Sequence, residues 1–155
     1  MKSKLFISAL FIGISTYTCY PQWITQSSIP VAEGQEGAVA HPDGNIYIMG
    51  GYNNSNDVND SLFIFNQATN TWTSGAPIPN PTRGMAYTLG KDSLIYIFGG
   101  FNLSSYVDSC YKYNPKTNVW TSIAHLPVAV WYAAAATAQS GLIYVMGGEA
   151  GTRLI

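Results

Sequence analysis

The sequence is poor in cysteine and in charge, and each scarcity excludes a class of protein. Two cysteines, Cys19 and Cys110, cannot build the disulfide framework of a small secreted scaffold, and their spacing is not that of metal ligands. Only 10% of the 155 residues are charged, and the formal net charge is −1. This balance argues against nucleic acid or an anionic membrane surface as a partner. With 47% hydrophobic residues, the chain has ample material for a folded core.

Motifs of catalysis and metal binding are also missing. The sequence contains no nucleophile elbow, no phosphate-binding glycine loop and no Glu-Xaa-Xaa-His pattern. The two histidines, His41 and His125, lie in turns that we predict at opposite faces of the fold, which argues against a shared metal ion. We therefore assign no catalytic residue, metal or other cofactor, and we favour a function without catalysis.

The first 18 residues have the order of a secretory signal peptide. Lys2 and Lys4 precede an apolar run over 5–14, and small residues follow near Ser15. The run is too short to span a bilayer, which needs about 20 apolar residues. We predict export to a secreted, periplasmic or cell-surface location, with no membrane span after removal of residues 1–18. The alternatives are a short helix on the membrane surface and a lipoprotein that is lipidated at Cys19.

A repeat organises the remainder of the chain. Gly50, Gly99 and Gly147 begin Gly-Gly pairs that are 49 and 48 residues apart, and each pair ends the phrase Ile-Tyr-(Ile or Val)-(Met or Phe)-Gly-Gly. A second phrase, residues 65–72, recurs as residues 113–120. Runs of Ile, Tyr, Val and Phe bounded by turn residues indicate four short strands in each unit.

These phrases and their period resemble kelch repeats, notably Tyr113-Asn-Pro-Lys-Thr-Asn-Val-Trp120. The resemblance covers about residues 22–148, and it implies an all-β, kelch-type β-propeller with four-stranded antiparallel blades. About two full blades and two partial ones form an incomplete ring. The missing blades are expected from a longer chain or, alternatively, from self-association. The expected layout is a signal peptide (1–18), a terminal strand of a preceding or closing blade (19–33), repeats 34–81 and 82–130, and a partial repeat (131–155).

Repeated residues at several positions have structural explanations. We expect Trp72 and Trp120 to pack between neighbouring blades. The hydroxyls of Tyr47, Tyr96 and Tyr144 are expected to reach backbone partners.

Ligand contacts are expected where the second-to-third and fourth-to-first connections of the blades emerge on one face. Aromatic and amide side chains there can stack on and hydrogen-bond a sugar, although they equally suit an ordinary solvated loop. Trp131 stands in register with Arg83 at the start of a blade. The candidate ligand-binding residues are Tyr52, Asn53, Asn54, Arg83, Phe101, Asn102, Tyr106 and Trp131.

Three functions fit this sequence. The first is an exported module that binds a protein or a glycan through one propeller face. The second, implied by the resemblance, is part of a sugar-modifying kelch enzyme such as a sialic acid mutarotase. A copper site like that of the galactose oxidases, which the resemblance also brings in, conflicts with the placement of the two histidines. The third is a truncated fragment without independent function.

Overall fold

The computed structural model describes residues 24–31, 34–53, 55 and 57–150, and within them the regular secondary structure is entirely β. The predicted all-β class is therefore confirmed. The described residues contain no helix long and apolar enough to cross a membrane. The predicted signal peptide lies outside the described residues. Residues 24–31, part of the predicted terminal strand 19–33, form no strand.

Two four-stranded antiparallel sheets, blades 1 and 2, follow each other along the chain, each with its strands in sequence order. Blade 1 comprises β1 (Gly37–Ala40), β2 (Asn45–Met49), β3 (Leu62–Asn66) and β4 (Thr71–Ser74). Blade 2 comprises β5 (Ala86–Leu89), β6 (Ile95–Phe98), β7 (Cys110–Asn114) and β8 (Val119–Ile123). In blade 3, β9 (Val130–Trp131) pairs with β12 (Glu149–Ala150), and β10 (Ala134–Thr137) pairs with β11 (Ile143–Met146). The described strands do not close a ring.

The core lies between the sheets, because side chains alternate between the two faces of each strand. In the larger cluster, Tyr47 and Met49 of blade 1 meet Ile95 and Tyr113 of blade 2. A smaller cluster packs Ala86, Phe98 and Cys110 of blade 2 against Ala135, Ile143 and Val145 of blade 3. Cys110 is 1% exposed and acts as the small apolar residue that its sequence context predicts.

The repeated tryptophans tie each connecting segment to the outer strand of a blade. Trp120 Nε1 donates to Ala76 O at 2.9 Å, while Asn118 Oδ1 accepts from the Ala76 N–H at 2.7 Å. In blade 1, Trp72 Nε1 and Asn70 Oδ1 make the same pair of bonds to Ser27. The predicted packing between blades is thus confirmed for Trp120, and these hydrogen bonds add a directional component to it.

The expectation that the repeated tyrosine hydroxyls bond to backbone groups is wrong for Tyr47 and Tyr96. Tyr47 donates to Asp43 Oδ2 at 2.7 Å, and Tyr96 donates to Asp92 Oδ2 at 2.8 Å. The aspartate occupies the hairpin turn four residues before the tyrosine, so its carboxylate caps the turn and also faces the hydroxyl. These bonds tie each turn to its second strand.

Alkaline pH is expected to destabilise the protein through these tyrosines. Burial and the Asp92 hydrogen bond raise the pKa of Tyr96 to about 12, and the same causes, with Asp43 as acceptor, raise the pKa of Tyr47. An unfolded tyrosine has a pKa of about 10. The folded state therefore keeps protons that the unfolded state releases, so this stabilisation is complete below about pH 10 and is lost as pH rises through the folded values.

The urea midpoint of unfolding, followed by tryptophan fluorescence, should therefore fall between about pH 9.5 and pH 12. Tyr96→Phe cannot titrate, so its midpoint should fall less steeply over this interval. A wild-type midpoint that stays constant, or an equal slope in the variant, would contradict the explanation.

Candidate functional site

Each of the three blades has an equivalent residue pair whose first member lies three residues before the first full strand. Gly34 bridges Tyr52 in blade 1, and Arg83 bridges Phe101 in blade 2. In blade 3, Trp131 of β9 pairs with Glu149 of β12. Because these pairs follow the 49- and 48-residue repeat, they lie at corresponding ends of the three sheets. The second-to-third and fourth-to-first connections leave the blades at this end.

The side chains at this end assemble around Arg83. Its guanidinium carbon lies 5.0 Å from the ring centroid of Tyr52, 5.3 Å from that of Phe101 and 5.9 Å from that of Trp131. Cation–π contacts of this kind are worth about 0.5–2 kcal/mol each, depending on how far they are desolvated. Since Tyr52 belongs to blade 1 and Trp131 to blade 3, Arg83 connects the two neighbours of its own blade.

Two more aromatic rings complete the group. Trp131 stacks on Tyr132 with ring centroids 4.0 Å apart, and Tyr106 lies almost parallel to Trp131 at 6.0 Å. We refer to these side chains as the aromatic cluster. Its members are Tyr52, Arg83, Phe101, Tyr106, Trp131 and Tyr132. Each is at least partly exposed, so the cluster is a surface feature of the blades and not part of their core.

A chain of backbone hydrogen bonds aligns the three blades beneath the cluster. The Gly84 N–H donates to Gln35 O, and the Tyr132 N–H donates to Gly84 O, both at 2.9 Å. All three residues have a left-handed backbone conformation, with φ of 58°, 59° and 56° for Gly84, Gln35 and Tyr132. Only glycine suits the middle position, since a Cβ there would overlap Trp131 Nε1. The close approach of the Gly84 backbone to Trp131 restricts the position of the indole ring.

The indole of Trp131 also has unused hydrogen-bonding capacity. Its Nε1 atom is buried and has no hydrogen-bond partner among the described residues. An unsatisfied buried donor costs about 1–3 kcal/mol, so unpaired groups of this kind call for an explanation. Because Nε1 lies against the Gly84 backbone, this donor sits beneath the aromatic surface and not on it.

Glu149 and Tyr132 belong to this site although the sequence analysis did not select them. Tyr106 donates its hydroxyl to Glu149 Oε1 at 2.7 Å, and this hydrogen bond is the main cause of the raised pKa of Tyr106. The repeat carried the signal for Glu149, which occupies the position of Tyr52 and Phe101 after the third Gly-Gly pair. Tyr132 follows Trp131 directly and has no counterpart of its type in the other repeats.

The structure brings five of the eight candidate residues together, Tyr52, Arg83, Phe101, Tyr106 and Trp131. Two of the candidate asparagines hold the backbone of their own loops. Asn53 Oδ1 accepts the backbone N–H groups of residues 55 and 57, and Asn102 Oδ1 accepts those of residues 104 and 105. Both side chains shape their own loops as Asx turns do. Asn54 lies outside the described residues.

The histidines lie far apart in the fold. His41 lies in the β1–β2 turn with its Nδ1 3.0 Å from Asp43 Oδ1. His125 lies in the β8–β9 connection, where its Nδ1 is 3.0 Å from Asp108 Oδ1. These two segments belong to opposite ends of the sheets, and no group of three or more His, Cys, Asp or Glu able to hold a metal occurs within the described ranges.

Comparisons with known proteins identify the same repeat. A family model described as the KLHDC2/KLHL20/DRC7 Kelch-repeats domain matches residues 7–148. Beta-scruin from Limulus polyphemus is 33% identical over 79 residues, which are 51% of this chain and 8% of beta-scruin. Kelch-like protein 23 from Mus musculus is 35% identical over 81 residues, covering 51% of this chain and 14% of that protein.

A solved structure of YjhT matches 79% of this chain and 36% of its own chain, with a TM-score of 0.67 and 25% sequence identity. The chain therefore spans well under two thirds of the length of each of these relatives. The match to the solved structure shows that the fold of the blades is shared.

Proposed function

The chain belongs to the kelch-repeat family, and from that premise we propose that it is a binding module that recognises a protein or glycan ligand through the aromatic cluster, without turnover. The kelch-type propeller architecture predicted from the repeat is confirmed, with an unclosed ring. Kelch propellers support protein binding or enzyme-like functions, so the choice of a binding module depends on the site itself.

The assembly of Arg83 with rings from three blades is the observation that carries the proposal. Binding hot spots are rich in tryptophan, tyrosine and arginine, because these side chains bury large areas and still offer hydrogen bonds. Trp131 and Tyr106 present nearly parallel rings, and the Tyr106 hydroxyl bonds the exposed carboxylate of Glu149 beside them. A ligand with a flat apolar surface next to a hydroxyl or N–H group fits this arrangement, which suits both an aromatic-containing peptide and a sugar.

Tyr106→Ala is expected to weaken ligand binding about 30-fold, which corresponds to a hot-spot loss of about 2 kcal/mol. The substitution removes a ring that lies against Trp131 and also removes the hydrogen bond to Glu149. Tyr106→Phe keeps the ring and should lose less than about threefold. Binding would be measured by titrating the protein against a peptide library and a panel of monosaccharides, with tryptophan fluorescence as the signal.

Leu103→Ala serves as the matched control, because Leu103 lies in the same loop, is 50% exposed and is outside the cluster. An equal loss in Leu103→Ala, or unchanged binding in Tyr106→Ala, would overturn the assignment of the site. Each sugar would also be added as a single anomer and followed by NMR. Accelerated anomer interconversion would contradict the binding module and support a mutarotase-like enzyme. A folded protein that binds none of these ligands would support a fragment without independent function.

The proposal includes export from the cytoplasm. Lys2, Lys4 and the apolar run over 5–14 support a signal peptide that ends near residue 18. Expression of the full chain in a bacterial host, followed by N-terminal sequencing, tests this part separately. Recovery of uncleaved protein beginning at Met1 in the cytoplasm would contradict export.

A further inference from the structure

A cavity of about 270 Å³ lies between β5 of blade 2 and the start of β10 in blade 3. It is partly open to solvent and is lined by Tyr87, Ala133, Ala134 and Ala135. We call it the alanine cavity. Packed protein interiors leave few spaces larger than a water molecule, so a cavity of this size is a candidate ligand site. None of its lining residues belongs to the aromatic cluster.

The repeat shows why the space between blades 2 and 3 is not filled by side chains. Ala133 and Ala135 stand in register with Met85 and Tyr87, 48 residues earlier. Met85 and Tyr87 pack into the larger cluster between blades 1 and 2, whereas Ala133 and Ala135 pack against the smaller cluster between blades 2 and 3. Two large side chains at the first interface are therefore replaced by two methyl groups at the second.

The interface between blades 1 and 2 indicates what kind of group fits this space. There the phenol ring of Tyr87 lies so close to the Gly37 backbone that a Cβ on Gly37 would be 2.9 Å from Tyr87 Cδ1. Between blades 2 and 3, Ala86 takes the place of Gly37 and adds one methyl group, which is far smaller than the missing ring. A planar aromatic ring is thus the group that this fold places between neighbouring blades at this position.

We propose that the alanine cavity binds a small neutral ligand with a single aromatic ring, in the place that the Tyr87 ring occupies at the first interface. An apolar cavity of about 150 Å³ is large enough to bind benzene, so about 270 Å³ holds one ring and leaves room for a substituent. The lining residues carry no charge that could compensate a buried ionic group, which favours a neutral ring. This inference does not depend on the proposed ligand site.

The probe is p-cresol, which is the tyrosine side chain as a free molecule. Calorimetric titration of the full chain should show saturable binding with a dissociation constant of about 1 mM or lower, an affinity within reach of a ligand of this size. In NMR spectra, NOEs are expected between the p-cresol ring and the methyl groups of Ala133 and Ala135. Absence of saturable binding would overturn the proposal, as would NOEs to the Trp131 ring in place of these methyl groups.

The double variant Ala86→Gly, Ala135→Tyr recreates between blades 2 and 3 the pair that fills the first interface. It should weaken p-cresol binding by about tenfold or more. Its thermal midpoint should stay close to that of the wild type, because filling the cavity offsets the glycine in β5. Ala38→Tyr is the matched control, since it adds the same ring at the equivalent position of blade 1, away from the cavity.

Ala38→Tyr should bind p-cresol like the wild type. Unchanged binding by the folded double variant, or an equal loss in Ala38→Tyr, would contradict the proposal. If the double variant does not fold, the NOEs measured on the wild-type protein decide the question, because they need no substitution.

Discussion

Gly99→Ala is expected to destabilise the protein by about 3–4 kcal/mol. Gly99 has a φ of 62°, where an L-residue costs about 1–2 kcal/mol. A Cβ at this position would lie 2.6 Å from Val130 O and 3.1 Å from Val130 Cγ2, so β9 would have to move. That carbonyl accepts the Gly100 N–H at 2.8 Å between blades 2 and 3, and the movement would weaken this bond as well.

Gly147 provides a control for the strain alone. It occupies the same position in blade 3 with a φ of 68°, but a Cβ there would meet no atom within 4 Å. Gly147→Ala should therefore cost only about 1–2 kcal/mol. Urea unfolding of both variants measures the difference between their free energies of unfolding. This difference is the cost of the steric overlap with the neighbouring blade. Equal losses would show that the left-handed backbone, and not blade packing, requires the repeated glycine.

Trp120→Ala is expected to lower the free energy of unfolding by about 3 kcal/mol. The indole packs against Tyr113 with ring centroids 4.9 Å apart and donates to Ala76 O, so its removal leaves a cavity and an unpaired carbonyl between blades 1 and 2. Trp120→Phe keeps an aromatic ring on Tyr113 and loses mainly the hydrogen bond. Its cost should be about 1–1.5 kcal/mol, measured by the same urea unfolding.

The equivalent substitution Trp72→Ala separates blade packing from the tryptophan itself. Trp72 bonds Ser27, an exposed residue in a segment without a strand. We expect Trp72→Ala to cost less than Trp120→Ala, because a surface segment loses less buried area than an interface between two sheets. If the two substitutions lowered the free energy of unfolding equally, the contacts that both tryptophans make within their own repeat, and not packing against a second blade, would account for the loss.

Strand positions and blade order could be predicted from the sequence because they depend on local patterns that the repeat confirms three times. Residues 46–49, for example, are an apolar run that favours a strand, and the side chains along a strand alternate between its two faces. The same kind of run recurs before Gly99. Blade packing follows from that alternation, since each strand must bury one side against a neighbouring sheet. Trp120 was assigned to the space between blades because a large aromatic side chain at a repeated position buries extensive apolar surface, and it does pack against the core between blades 1 and 2.

Side-chain partners were harder to predict, because they depend on distances that no spacing in the sequence encodes. Asn53 and Asn102 were selected as candidates for ligand contact, and no sequence pattern was used to predict that their side-chain oxygens also accept backbone N–H groups of their own loops. Similarly, the hydroxyls of Tyr47 and Tyr96 donate to the aspartate of their own hairpin turn and not to a backbone carbonyl.

By itself, then, the sequence determined the kelch family, the all-β class, the 48- to 49-residue unit and the end of the blades from which the candidate residues emerge. Only the tertiary structure decided that Arg83 lies among rings from three blades and that Glu149 bonds Tyr106. The physical reason is the range of the interactions. Strand alternation and turn chemistry operate within a few residues, whereas these contacts join positions 18 to 48 residues apart that meet only when the sheets stack.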